Sequence, residues 1–226
     1  MNRFWCASLF FFLLLQLSAE TNIPFLEETP GNKKGAFYTI EGAIVGTPLT
    51  VDDSFAAEHG EPRPGAPFRI IVPKGQNRKM AAGSGGGEIL SIGYSAADGS
   101  AREILRLTGL TVPMRSPEDR IQILADLLKK QGPGLAFTGW AKGKFEGIYV
   151  TKIGDRYDAV TMQGWCSDPE KGYYFVRLCG IINPIKDAGV LAYVLIDPKL
   201  TGIEPGDLTS MGDSLKIIHS IKFVER

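Results

Sequence analysis

Ser116-Pro-Glu-Asp-Arg-Ile-Gln-Ile-Leu-Ala-Asp-Leu-Leu-Lys-Lys130 opens the stretch that decides the fold, and Val190-Leu-Ala-Tyr-Val-Leu-Ile196 closes it. The opening reads as a helix. The Ser116 hydroxyl can accept from first-turn amides, Pro117 suits the first helical position, and Glu118 and Asp119 oppose the positive end of the dipole. Ile121, Leu124, Leu127 and Leu128 recur at helical spacing on one face. Lys129 and Lys130 complement the carboxyl end, and Gly132-Pro133 is expected to stop the element.

Five apolar segments follow: Leu135–Ala141, Phe145–Lys152, Tyr157–Trp165, Tyr173–Ile182 and Val190–Ile196. The turns between them are short and polar (Lys142–Lys144, Gly154-Asp155, Ser167–Gly172, Asn183–Gly189). A parallel return needs a dozen or more residues, so neighbouring antiparallel strands are expected. Val190–Ile196 is apolar on both alternating faces, and such a strand needs cover on both sides of its sheet.

Toward the N-terminus, Glu88–Tyr94 and Ala101–Leu107 flank Ala97-Asp-Gly-Ser100. Asp-Gly supplies the positive φ of a tight hairpin, with a helical turn over Ala101–Leu107 as the alternative. Phe68–Val72 is a short strand, and Gly35–Val45 reads as a strand or a bent hairpin arm. Prolines 48, 62, 64 and 67 make Thr47–Pro67 read as loop, and Lys74–Gly87 reads as a long flexible one. Toward the C-terminus a helix is expected from Asp207 or Thr209, with Leu208, Met211, Leu215 and Ile218 along one face. The expectation is an α+β fold: a mainly antiparallel sheet with helices packed on both faces, an α/β/α sandwich. Residues 68–226 form its single domain, and residues 20–67 an extended segment at its edge.

Met1–Ala19 carries Arg3, then the apolar run Leu9–Leu15, then Gln-Leu-Ser-Ala before Glu20. That run is too short to cross about 30 Å of hydrocarbon as a helix, and its layout is that of a cleaved secretory signal, with an uncleaved anchor as the alternative. The expectation is an exported protein, periplasmic or secreted, with no stable membrane insertion after cleavage. The whole chain has 25 basic and 25 acidic residues, and losing Arg3 leaves 24 against 25, a net charge near −1. No run of Lys or Arg stands out, so a nucleic-acid partner has no electrostatic footprint.

The chemical motifs read as coincidence or structure. Gly212-Asp-Ser-Leu215 spells the signature of the GDSL esterases, but that family places its serine near the start of the domain. Here Ser214 lies 12 residues from the end, inside an amphipathic helix. His219 follows it by five, which points the two side chains about 140° apart on a helix, and a nucleophile needs its base within hydrogen-bond reach. Gly83-Ser-Gly-Gly-Gly87 after Lys74, Arg78 and Lys79 matches no phosphate-loop spacing. His59 with Glu58 and Glu61 is a weak metal set beside its plainer reading as a solvated loop histidine. Asp155, Asp158, Asp168, Asp187 and Asp197 fall in or beside turns, where turn chemistry accounts for them. No catalytic residue, metal or cofactor is assigned.

Cys166 and Cys179 invite a disulfide in an exported protein. If Asp168–Lys171 is a tight turn, Cys166 faces Tyr173 and Cys179 lies six residues further, roughly 20 Å away. A bridge then needs a wide loop near Gly172, or a route across non-neighbouring elements. Trp140, Tyr149, Tyr157, Trp165, Tyr173 and Tyr174 crowd the strand region, as packing or as a partner-binding patch.

The order of hairpin, helix beginning Ser116-Pro-Glu-Asp, antiparallel strands and terminal helix ending Leu215-Lys-Ile-Ile-His-Ser220 resembles the PsbP-like fold. The likeness spans about Phe68–Phe223 and matches no diagnostic motif. It implies an α/β/α sandwich and an accessory or binding role, and it carries over no functional residue. The expected function is that of an exported, non-enzymatic accessory or protein-interaction protein. A small-ligand binding module and a hydrolase with an unrecognised site are its competitors.

Overall fold

The structure is a computed structural model, and it describes residue 44 and residues 46–59, 63–74, 78–85, 87–154, 156–204 and 212–224. Its elements in order are β1 (Gly46–Val51), α1 (Asp53–His59), β2 (Phe68–Pro73), β3 (Arg78–Gly85), β4 (Glu88–Ser95), β5 (Ala101–Thr111) and α2 (Pro117–Phe137). There follow β6 (Lys142–Ile153), β7 (Tyr157–Asp168), β8 (Gly172–Ile182), β9 (Ala188–Ile196), α3 (Pro198–Thr201), α4 (Asp213–His219) and β10 (Lys222–Phe223). The signal segment, Gly35–Ile44 apart from residue 44, Val45, Glu61, Asp155, Leu208 and Met211 lie outside the described residues, as does any helix start near residue 207 or 209.

One sheet has seven strands in the order β3-β4-β5-β9-β8-β7-β6, and the other three in the order β1-β2-β10. Every pairing is antiparallel. β9 sits between β5 and β8 and is buried along almost its whole length, as its unbroken apolar sequence requires. On one face of the large sheet, Leu124, Leu128 and Ala136 of α2 pack on Val160, Met162, Val176 and Leu178. On the other, α4 and the small sheet bring Ile217, Ile218, Phe68 and Ile70 against Leu105, Leu107 and Ile181. The fold is α+β with helices on both faces, and the second face also carries a three-stranded sheet.

Two glycines shape this arrangement. Gly99 takes φ 87° in the β4–β5 hairpin, where the chain reverses as the Asp-Gly pair demands. At Gly180 a Cβ would come 2.7 Å from Leu124 Cδ1, so the bare backbone there is the seat of α2 on β8.

Several boundaries differ from the sequence reading. α2 does not stop at Gly132-Pro133 but continues to Phe137, so Leu135–Ala141 is not a strand. Pro133 forfeits one backbone bond. The turn beyond it recovers that loss by burying Ala136, packing Phe137 against Phe145 with tilted rings (centroids 4.7 Å apart) and donating the Thr138 Oγ1 hydroxyl to Gly134 O at 2.5 Å. Lys142–Lys144 is strand, paired along β7 from Ser167.

The two segments read as loops are both partly structured. Pro48 lies in β1, which borders only β2 and so tolerates a missing donor. α1 follows because Asp52 Oδ1 accepts from Ser54 N (3.0 Å) and Phe55 N (3.1 Å). Arg78–Gly85, expected to be flexible loop, pairs with β4 as the edge strand β3. An edge strand has one partner and little need of an apolar alternation.

Candidate functional site

The antiparallel order brings the ends of β5, β6 and β8 and the starts of β7 and β9 to one edge of the large sheet, beside the first turn of α2. There a cleft of about 90 Å³ is lined by Arg115, Pro117, Arg120, Arg156, Asp158, Ile182 and Pro184. Ser116 caps α2 as its sequence predicts, accepting from Asp119 N at 3.2 Å. That cap fixes the first turn of α2, which carries Arg120 and follows directly on Arg115.

Arg120 organises the edge. It is only 3% exposed. Its Nη1 donates to Asn183 O (2.7 Å), and its Nη2 to Val112 O (3.3 Å) and Lys186 O (2.6 Å). One guanidinium thus ties the end of β5 to both sides of the β8–β9 turn. The turn closes on itself through Asn183 N to Ala188 O (3.0 Å) and Ile185 N to Asn183 Oδ1 (2.9 Å). Val112 N to Asp187 O (3.1 Å) joins it to β5.

All of these acceptors are neutral carbonyls, so the charge of Arg120 is solvated by dipoles and not cancelled. Burial pulls its pKa down, while Asp187 and then Asp158 oppose the shift. Its Nε has no hydrogen-bond partner. Arg115 is exposed, and Asp158 is held by Lys152 at 2.7 Å. Among the described residues no carboxylate lies within ion-pair distance of Arg115, Arg120 or Arg156. The recess is small, lined by three arginines against Asp158, with the buried Nε of Arg120 unpartnered, and is suited chemically to holding an anionic group.

The sequence reading missed all three arginines. A signal was present for one of them: Arg120 stands in phase with Leu124 and Leu128 at i, i+4 and i+8, a charged residue at a core-facing position. Arg115 and Arg156 come from separate loops, and only the sheet order brings them together.

The residues that the sequence did single out lie elsewhere. Ser214 is fully buried in α4, with its amide donating to Glu103 Oε2 at 2.9 Å and its Oγ without a partner. Beside it, Arg102 Nη2 meets Asp213 Oδ2 at 2.9 Å and Lys216 Nζ meets Asp213 Oδ1 at 3.0 Å, an anchor for the start of α4. His59 stacks on Phe55 with centroids 4.3 Å apart and its Nδ1 lies 2.9 Å from Phe55 O. Among the described residues no group of three or more His, Cys, Asp or Glu is placed to hold a metal ion.

Cys166 and Cys179 are free thiols, and no bridge joins them. Cys166 faces Tyr174 and Cys179 faces Thr161, five residues apart along β7, roughly 17 Å. An odd offset also puts them on opposite faces, Cys166 in the α2-side core and Cys179 in the other. Burial pushes the Cys166 thiol up to about 12 and raises that of Cys179, although Arg177 opposes the latter. The aromatics gather at the far end of β7 and β8. Trp165 stacks on Tyr173 there, Tyr173 meets Phe175 edge to face, and Lys171 lies over Trp140, which packs on Tyr174. About 30 Å of β8 separates Tyr173 from the cleft.

The fold and the edge together describe an α+β sandwich that presents a preformed cationic recess. No family model matches the chain, and no curated protein does. Among solved structures it is similar to the cyanobacterial PsbP, CyanoP, of Synechocystis sp. PCC 6803, at 10% identity over 82% of this chain and 98% of that one, with a TM-score of 0.49. LpqN, involved in cell envelope biogenesis of Mycobacterium tuberculosis, matches at 15% identity over 79% of this chain and 91% of its own, with a TM-score of 0.45. The Ran-binding protein Mog1p of Saccharomyces cerevisiae matches at 11% identity over 79% and 96%, with a TM-score of 0.35. The likeness concerns the fold alone and brings no residue to the arginine cleft. No helix among the described residues is long and apolar enough to cross a membrane.

Proposed function

We propose that this chain is an exported, non-enzymatic accessory protein that holds a partner protein through an anionic group seated in the arginine cleft. Export rests on the layout of Met1–Ala19. The observation that carries the binding role is Arg120: a buried guanidinium bonded only to backbone carbonyls, with Nε unused. Leaving a buried charge uncancelled costs free energy. A protein that keeps one at a sheet edge, next to Arg115 and Arg156, has a binding surface ready for a complementary charge.

The competing readings fit less well. Small-molecule pockets run to about 300–1,000 Å³, several times the size of this recess. A serine hydrolase needs an accessible nucleophile, and Ser214 is enclosed.

The reading is tested by photo-crosslinking in the native compartment, with a benzoylphenylalanine at Ile185, beside the cleft, or at Val150, exposed on β6. A partner adduct from position 185 and none from 150 is expected. Adducts from 150 alone, or from neither position, would remove the cleft as the docking edge. N-terminal sequencing of the exported protein tests the signal, and an intact Met1 would contradict it.

A further inference from the structure

β3 lies at one side of the large sheet, and among the described residues its only strand partner is β4. The cross-strand row at its middle runs Val194, Leu105, Ile92, Met80. The first three are at most 2% exposed and belong to the core on the small-sheet side, whereas Met80 ends the row at 49% exposed. A core-facing row of side chains thus runs out into water one strand early.

Charge on the same strand is one-sided. β3 carries Arg78 and Lys79 and no carboxylate. Among the described residues neither cation stands in an ion pair. A second copy of β3 laid against the first would bring like charges together. The strand that fits this edge is apolar with an acidic residue.

The chain brings such a strand to the place. β1 and β2 are paired from Val51 opposite Phe68 to Gly46 opposite Pro73, where β2 ends. After a four-residue link the same chain becomes β3, and Arg78 Nη1 donates to Pro73 O at 3.1 Å. The residues that precede Gly46 therefore leave the small sheet where β3 begins. Continued in that direction, they run antiparallel to β3. Strands pass from one sheet to another at such corners through a bend or a bulge.

The arriving stretch is Gly35-Ala-Phe-Tyr-Thr-Ile-Glu-Gly-Ala-Ile44. It is rich in aromatic and β-branched residues, holds no proline, and has Glu41 as its one charge. Ile44 is already half-buried as the chain nears β1. Straight continuation of the β1–β2 register would set Glu41 opposite Arg78. A shift of one place at the corner sets Glu41 opposite Lys79 and Ile40 opposite Met80, which closes the core row on an apolar pair. A segment tied to β1 by so short a link meets β3 at about millimolar effective concentration, so even a weak strand pairing is populated.

We infer that residues 35–43 form a strand antiparallel to β3 on its outer side, with Ile40 beside Met80 and Glu41 beside Lys79. The N-terminal part of the chain is then a built-in cover that keeps this edge from pairing with other chains. No residue of the arginine cleft takes part, so failure of the pairing leaves the docking edge as it stood.

The test is amide exchange on the full exported chain. Every second amide of an edge strand points away from its one neighbour and exchanges readily. β6, the strand at the opposite side of the large sheet, is the reference. Outward amides of β3 are expected to exchange at least about tenfold more slowly than those of β6. Ile40→Pro removes a donor and bars the strand, and is expected to abolish that difference. Ile40→Cys combined with Met80→Cys is expected to close a disulfide within the monomer under mild oxidation, since opposed residues lie about 4.5–5.5 Å apart at Cα. Thr39→Cys combined with Met80→Cys is not, because a one-place offset turns the side chain to the other face.

Outward β3 amides that exchange as fast as those of β6, protection unchanged by Ile40→Pro, or a bridge from position 39 in place of 40 would overturn the pairing. Protection that grows with protein concentration would put a second copy of the chain on this edge and overturn it as well.

Discussion

Replacing Arg120 with methionine keeps most of the buried stem and deletes the guanidinium. Three backbone carbonyls (Asn183, Val112 and Lys186) then lose the donors that sit 2.6–3.3 Å from them. A hydrogen bond to a charged group contributes about 1.5–3 kcal/mol, and a buried acceptor left unmade costs about 1–3 kcal/mol. The three are not additive, because Lys186 is only half-buried and water can reach part of the turn. Against the loss stands the relief of burying a charge bonded only to neutral groups. The net expectation is a destabilisation of about 3 kcal/mol, the sum of the three lost bonds taken at the low end of their range because they are not additive. In urea, with a slope near 2 kcal/mol per molar, the midpoint falls by about 1.5 M at an unchanged slope. Equilibrium denaturation followed by tryptophan fluorescence reads this directly. A midpoint within about 0.3 M of wild type, or one that rises, would refute the claim that Arg120 ties the β5 end to the β8–β9 turn.

Other outcomes follow from the same geometry. Gly180→Ala places a methyl against Leu124 Cδ1, 2.7 Å from the ideal Cβ, and is expected to cost about 1–3 kcal/mol by the same denaturation assay. Ser116→Ala removes the α2 cap and should cost about 1 kcal/mol, with faster amide exchange at Asp119. Both strand cysteines should resist iodoacetamide at pH 8 in the native protein and react fully in urea, since each thiol is buried. A folded Cys166 pKa raised to about 12 means that the native state holds its proton where the unfolded chain has lost it. Its contribution is complete below the usual thiol range and lost as pH rises from there toward 12, so urea midpoints should fall across that window. A rise would contradict the burial assigned to Cys166.

What the sequence disclosed, and what it concealed, follows from the range of the interactions. The α2 start was legible because Ser116, Pro117, Glu118 and Asp119 act within one turn. The β4–β5 hairpin was legible through Asp98-Gly99, and β9 through its unbroken apolar run. The end of α2 was concealed because tertiary packing of Ala136 and Phe137 outweighs Pro133. β1 and β3 were concealed because edge strands need neither alternation nor a full set of donors. The Cys166–Cys179 question turned on register, which local sequence did not supply beyond one turn. The cleft was the least visible part. Its arginines lie 5 and 36 positions apart in sequence, Arg115 to Arg120 to Arg156, and only the meeting of five strand ends makes them neighbours.

The most direct measurement is the Nε–H resonance of Arg120 in the intact protein. The account predicts a slowly exchanging, dispersed signal, reflecting a buried donor. A resonance that exchanges as fast as those of exposed arginines such as Arg69 would contradict the buried guanidinium that carries the binding role.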